Sequence, residues 1–230
     1  MNSPSSKAIA FLLTAAAFMG LACTASASLI VTLDHDDRGW YRSNGTHSPV
    51  NTNYTNGGIG NNEYRNFFVF DLSGVSGTIL SAYLHLAMPN NGYRSPDSTE
   101  TYRVQDVTTS IASLIAGTGG VAAFNDLGSG TVFGSQTVQN SDEGGFVDVT
   151  LNSSALTELN AATGQWAVGG NISTLNAIPD LEYAFAFSNG TQTTQLVLLT
   201  AVPEPTTFLP LLGLIAGAVM FHRPRRQRDT

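Results

Sequence analysis

Asp34-His35-Asp36-Asp37 is the densest group of metal-ligating side chains in the sequence. Alternate residues of an extended segment point the same way, so Asp34 and Asp36 would share one side with Asp37 beside them. Calcium takes about six to eight oxygens, from carboxylates and carbonyls together. Amides from Asn51, Asn53 and Asn61 would add to such a shell, although the spacing is not that of an EF-hand loop. The alternative is a solvated acidic turn. Asp142-Glu143, beside Gly144-Gly145, raises the same two alternatives.

Trp40 and Tyr41, with Tyr54 and Tyr64, are the side chains best suited to carbohydrate, because flat aromatic faces bury the apolar faces of sugars. The alternative is that Trp40 and Tyr64 fill a protein core. Arg65 precedes an apolar run and needs an acid, Asp71 or another, if it is buried.

No catalytic residue emerges. Glycoside hydrolysis needs two positioned carboxyls, but the acids are numerous enough that some close pair is inevitable. There is no Gly-X-Ser-X-Gly turn, and His35, His47 and His85 stand in no recognisable motif. A zinc cluster of His and Cys is also missing from the sequence. The reading is therefore non-enzymatic.

Elements that would position these residues are short strands. Ser28 to Leu33 reads as the first, and Asp37 to Asn62 as short strands in long loops. Tyr64 to Leu72, with Phe67-Phe68-Val69-Phe70, reads as a strand buried on both faces. Ile79 to Met88 alternates, with Leu80, Ala82, Leu84, Leu86 and Met88 on one face, which predicts a half-exposed strand. Further strands are expected at Thr101 to Val107, Phe146 to Leu151, Gln165 to Val168, Leu181 to Phe187 and Gln195 to Thr200. Ser110 to Ala116, stopped by Gly117, and a segment capped by Asn152 or Ser153 and stopped by Gly164 read as two short helices. About nine short strands without long intervening helices predict an all-β, jelly-roll-like antiparallel β-sandwich.

Both ends read as addresses. Residues 1–27 have Lys7, an apolar run from Ala8 to Leu21, and Ala25-Ser26-Ala27 as a small-residue cleavage site, the pattern of a signal peptide. Lipidation of Cys23 is an alternative, disfavoured by Gly20 three positions before it. If Cys23 leaves with the signal, the mature chain has no thiol or disulfide. At the other end, residues 202–230 hold Val202-Pro203-Glu204-Pro205, an uncharged stretch from Thr206 to Phe221, and a basic tail with Arg223, Arg225, Arg226 and Arg228. The stretch would span about 24 Å as a helix, against a hydrocarbon core of about 30 Å. Arginines after it predict a transmembrane helix with a cytoplasmic tail.

This order of motif, helix and arginines resembles the PEP-CTERM sorting signal. The resemblance implies recognition by an exosortase at the inner membrane, C-terminal processing near the motif, and export to the cell surface or beyond. Within the domain, residues 28–201, Tyr64-Arg65-Asn66-Phe67-Phe68-Val69-Phe70-Asp71-Leu72-Ser73 and Ile79-Leu80-Ser81-Ala82-Tyr83-Leu84-His85-Leu86 look like the opening of DNRLRE-type jelly-roll domains. Phe146-Val147-Asp148-Val149-Thr150-Leu151 matches a later strand of that family. Some relatives of that type bind polysaccharide, which implies extracellular polysaccharide or biofilm matrix as a partner. No binding residue carries over.

Between Ser28 and Val202 lie five arginines, no lysine and fifteen acids, a formal charge of −10. Without a basic patch, nucleic acid is not an expected partner. The function expected is thus a surface-sorted, non-enzymatic protein associated with polysaccharide, or alternatively a carbohydrate-binding module with structural calcium. A secreted glycoside hydrolase ranks behind both.

Overall fold

The computed structural model describes residues 27–176 and 181–202. Residues Ser28–Val202 form one compact unit. The signal-peptide residues before Ala27, Pro203-Glu204-Pro205, the expected membrane helix and the basic tail lie outside the described residues. Among the described residues no helix is long and apolar enough to cross a membrane.

Eleven strands and three α-helices are present among the described residues. The strands are β1 (Ala27–Asp34), β2 (Asp37–Arg42), β3 (Asn56–Ile59), β4 (Asn62–Asp71), β5 (Ile79–Ala87), β6 (Glu100–Asp106), β7 (Val132–Val138), β8 (Phe146–Thr150), β9 (Gln165–Ile172), β10 (Glu182–Ala184) and β11 (Thr194–Val202). The helices are α1 (Ile111–Ala116), α2 (Gly120–Asp126) and α3 (Ser153–Ala161). One sheet has four strands in the order β1-β11-β5-β8. The other has seven, in the order β10-β3-β4-β9-β6-β7, with β2 also paired to β4.

Strand alternation builds the core. Phe68 and Phe70 of β4 meet Leu84 and Leu86 of β5, Val147 and Val149 of β8, and Leu196 and Leu198 of β11 in one buried cluster. The other face of β4 is not free either: Phe67 and Val69 pack with Tyr41, Leu114, Phe124 and Leu127 in a second cluster beneath α1 and α2. This second cover is why the aromatic run is buried on both faces.

Local signals set several element ends. The Ser110 side chain accepts from the Ser113 amide at the start of α1, and Gly117 ends it with φ 71°. Asn152 caps α3 by accepting from the Ser154 and Ala155 amides. Three departures from the expected elements stand out. Two helices were expected and α2 is a third; β7 adds a strand; and Leu181 to Phe187 contains only the three residues of β10. In β5, Leu80 is exposed and Ile79 is buried instead, because the register with β11 shifts between Leu199 and Thr200. A bulge of this kind turns the strand by one residue, so the period of two holds only from Ala82 onward.

Candidate functional site

β2 and β4 pair with Trp40 opposite Asn66 and Arg42 opposite Tyr64. Directly opposed residues of an antiparallel pair lie on the same side of the sheet. The face of β4 that sends Phe68 and Phe70 into the sandwich core therefore continues past that core as Trp40, Arg42 and Tyr64. There it lines an open groove of about 430 Å³.

The near wall is a packed triplet. Trp40 meets Tyr64 edge-on, with ring centroids 5.2 Å apart and an interplanar angle of 67°. The Arg42 guanidinium lies 5.2 Å from the Trp40 ring centroid and 5.3 Å from that of Tyr64. Its Nε is buried without a hydrogen-bond partner, and it makes no ion pair among the described residues. The far wall comes from β10 and its two flanks: Leu181, Tyr183 and Phe187, with Asn51, Asn53 and Thr55 supplying polar groups between the walls. Phe187 is 66% exposed, and its backbone sits at φ 57°. A bulky residue in the left-handed region costs roughly 1–3 kcal/mol. Phe185, also at φ 57°, turns the opposite way and is fully buried against Tyr54 and Tyr102. Two such residues in three positions turn the chain so that one ring enters the core and the next enters the groove.

Trp40 belongs to this groove but is only 7% exposed, so it supports the wall more than it offers a face. Tyr41 does not belong to it. Adjacent strand residues point to opposite faces, and Tyr41 is fully buried under α1, donating its hydroxyl to the Ser113 and Leu114 carbonyls at 2.9 Å. The expectation of Tyr41 as a sugar platform is corrected on this ground. Tyr54 is likewise fully buried, and its hydroxyl donates to the Ala87 carbonyl at 2.8 Å.

The acids of Asp34, Asp36 and Asp37 do not converge. The chain crosses between the sheets there. Asp34 ends β1 and accepts from Gln195 Nε2 of β11 at 2.8 Å, whereas Asp36 accepts from Gln165 Nε2 of β9 in the other sheet. Asp37 accepts from the Arg38 amide at 2.6 Å, and burial pushes its carboxyl above the usual range. The calcium site expected here is not assembled. Asp142 and Glu143 have structural partners too: Asp142 accepts from the Gln139 amide, and Glu143 accepts from the Tyr93 amide, both at 2.9 Å. Arg65 pairs with Glu63 at 2.7 Å rather than with Asp71, and donates to the Phe124 carbonyl at 3.1 Å. His85 stacks on Phe146 with centroids 4.1 Å apart and lies 2.5 Å from Asp148.

Sequence reasoning missed another carboxyl group. Asp97, Glu100 and Glu182 each place an oxygen within 4.8 Å of the other two. Glu100 and Glu182 are each only 1% exposed. Glu100 opens β6 and accepts from the hydroxyls of Ser95 and Thr174. Glu182 opens β10, and its Oε2 accepts from the Asn176 amide at 2.8 Å. Its Oε1 is buried without a partner. Burial, and then the neighbouring Glu100 and Asp97 carboxyls, push Glu182 up to about 7. Gly57 permits this approach: at φ 108°, a Cβ there would collide with the Glu182 carbonyl. Glu182 and Tyr183 are adjacent on β10, so the strand carries an acid on one face and a groove residue on the other.

No known protein-family model and no curated protein matches this chain.

Proposed function

We propose that this chain is an exported, non-enzymatic surface protein, processed by an exosortase, whose β-domain holds extracellular polysaccharide in the groove between Tyr64 and Phe187. The observation that carries the reading is Phe187: an aromatic ring placed in solvent by a strained backbone at the rim of an aromatic-walled groove. Strain of this kind persists where the surrounding fold imposes it, and it clusters at ligand clamps.

The rings meet edge to face, at 67° for Trp40 with Tyr64 and 78° for Tyr183 with Phe187. They make a groove rather than a flat platform, which suits a single soluble glycan chain better than an ordered glycan surface. The free donors of Arg42 match sugar hydroxyl or carboxylate oxygens. Among the described residues the groove's lining has no Asp or Glu, and glycoside hydrolysis uses a pair of carboxyls. We read the sandwich as jelly-roll-like, in keeping with the DNRLRE-type resemblance. The N-terminal signal and the Val202-Pro203-Glu204-Pro205 signal supply the route: across the inner membrane, then release or transfer to the surface. The role is that of a matrix-associated protein, for which the domain acts as a carbohydrate-binding module.

Two measurements test this. The full chain on a glycan array should bind one class of polysaccharide saturably, and Phe187→Ala should abolish the signal without unfolding the domain. Unchanged binding in that variant, or no binding at all, refutes the groove. Expressed in hosts with and without an exosortase, the chain should lose its residues after the Pro-Glu-Pro motif only in the first. An intact C-terminus in both hosts refutes the sorting assignment.

A further inference from the structure

We propose that Asp97, Glu100 and Glu182 form a binding site for a divalent cation of the calcium class. The proposal does not depend on glycan binding. It rests on the convergence of the three acids and on polar atoms left without partners at the same place.

Oxygens on opposite sides of a calcium ion, each about 2.4 Å from it, lie about 4.8 Å apart. The three carboxyls fall inside that limit. The donors are all oxygen, with no histidine or cysteine, which selects hard cations over zinc or copper.

Two groups in this pocket lack partners. Glu182 Oε1 is fully enclosed and accepts no hydrogen bond. The Tyr93 hydroxyl, buried beside the same three acids, has the Ser95 hydroxyl near it but makes no hydrogen bond of standard geometry with it. Buried polar atoms are nearly always satisfied, so an enclosed carboxyl oxygen without a donor, beside a poorly bonded hydroxyl, indicates a missing partner. A basic side chain does not fill the role. The ion pairs among the described residues are Arg65 with Glu63 and His85 with Asp148, both elsewhere. Two enclosed carboxyls without a counter-charge are costly unless they share a proton or hold a cation. A shared proton would satisfy Glu100 and Glu182 alone. It does not explain Asp97, an exposed third carboxylate within reach of both, which also gives an ion a route from solvent. Asn176 orients the set, its side chain donating to Asp97 at 2.8 Å while its amide donates to Glu182. Outer contacts of this type hold metal ligands in place.

An ion here would tie β10 to β6. Tyr183, the next residue of β10, lines the groove, so the ion would also stiffen the far wall.

Terbium(III) luminescence on the full chain tests the site, since Tyr93 lies close enough to sensitise the ion. The expected result at pH 8 is saturable emission that calcium chloride displaces. Asp97→Asn, a surface change, should weaken calcium at least tenfold, and Glu182→Gln should remove the signal, whereas Asp34→Asn and Asp36→Asn should leave it unchanged. Absence of calcium-displaceable emission overturns the proposal. So does calcium affinity that Asp97→Asn leaves intact, and this variant decides the matter if Glu182→Gln fails to fold. Loss of emission in Asp34→Asn would move the site to the β1–β2 crossing and refute it here. Loss of glycan binding with terbium emission retained would count against the groove alone.

Discussion

Arg38 and Arg42 lie on the same face of β2, four residues apart, and their surroundings are opposite. Arg38 is 1% exposed and donates four hydrogen bonds. It donates to the carbonyls of Thr52 at 3.1 Å, Gln192 at 2.7 Å and Asn189 at 2.5 Å, and to the Thr194 hydroxyl at 2.9 Å, while stacking 4.7 Å from the Tyr54 ring centroid. Burial lowers its pKa, yet it has no ion pair among the described residues. Arg42 has the aromatic stacking without the acceptors. A guanidinium with four of its five N–H groups bound to loop acceptors holds the fold together; one with idle donors in a groove can receive a ligand. The same rule separates the carboxyls. Asp34 and Asp36 have side-chain donors, and Glu182 Oε1 has none.

Arg38→Ala is the strongest way to break this contrast. It strands the loop carbonyls around Asn189 and Gln192 and opens a cavity beside Tyr54. We expect a loss of about 3–5 kcal/mol, a drop in melting temperature of roughly 10 °C for a domain of this size. A change below about 1 kcal/mol would show that the buried arginine is not structural.

The unsatisfied carboxyl predicts a pH effect. Glu182 faces Glu100, Asp97 and Tyr93, and its folded pKa of about 7 lies above the ordinary value of 4.5. The stability it contributes as a neutral acid is therefore fully present below about pH 4.5 and is lost as pH rises through about 7. Melting temperature measured in a chelator should decline across that window, and Glu182→Gln should flatten the decline. A wild-type profile as flat as that of the variant would contradict the raised pKa.

How far these sites were legible in the sequence follows from the same geometry. β4 was readable because its aromatic run needs cover on both faces, and α1 and α3 were readable because Ser110, Gly117 and Asn152 carry their own capping signals. β7 was not, since only Phe133 and Val138 of its side chains are buried, and α2 has no side-chain cap. Period-two reasoning put Asp34 and Asp36 together because it assumed one continuous strand; the chain changes sheet between them. Asp97, Glu100 and Glu182 were hidden by distance along the chain, and Glu182 sits in a stretch that reads as apolar strand. Trp40 was identified, but nothing in its spacing distinguishes a groove wall from the core. Phe187 closes a stretch that reads as a strand, and its left-handed backbone has no signature in residue type.

Arg42→Ala takes the contrast to the groove. The side chain is half-buried and has no ion pair to lose among the described residues, so stability should change by less than about 1 kcal/mol. Loss of one charge-assisted contact should weaken glycan binding about tenfold, or about 1.4 kcal/mol. Isothermal titration of the full chain with the glycan found on the array measures this. Binding within twofold of wild type would mean that the idle donors face solvent, not ligand.

Phe187→Gly has the sharpest meaning, because stability and binding should move in opposite directions. Glycine adopts φ near 57° without the clash that phenylalanine carries there. Relief of that strain is worth about 1–3 kcal/mol, and the added freedom of the unfolded chain takes back about 0.5–1. The ring is mostly in solvent, so little burial is lost with it. The variant should melt at or above the wild-type temperature, by up to about 5–10 °C, while losing glycan binding. Stability gained and binding lost together would mean that the fold carries strain at this position for the ligand. Destabilisation with binding intact would mean that Phe187 is held by its contact with Tyr183 and that the groove works without it.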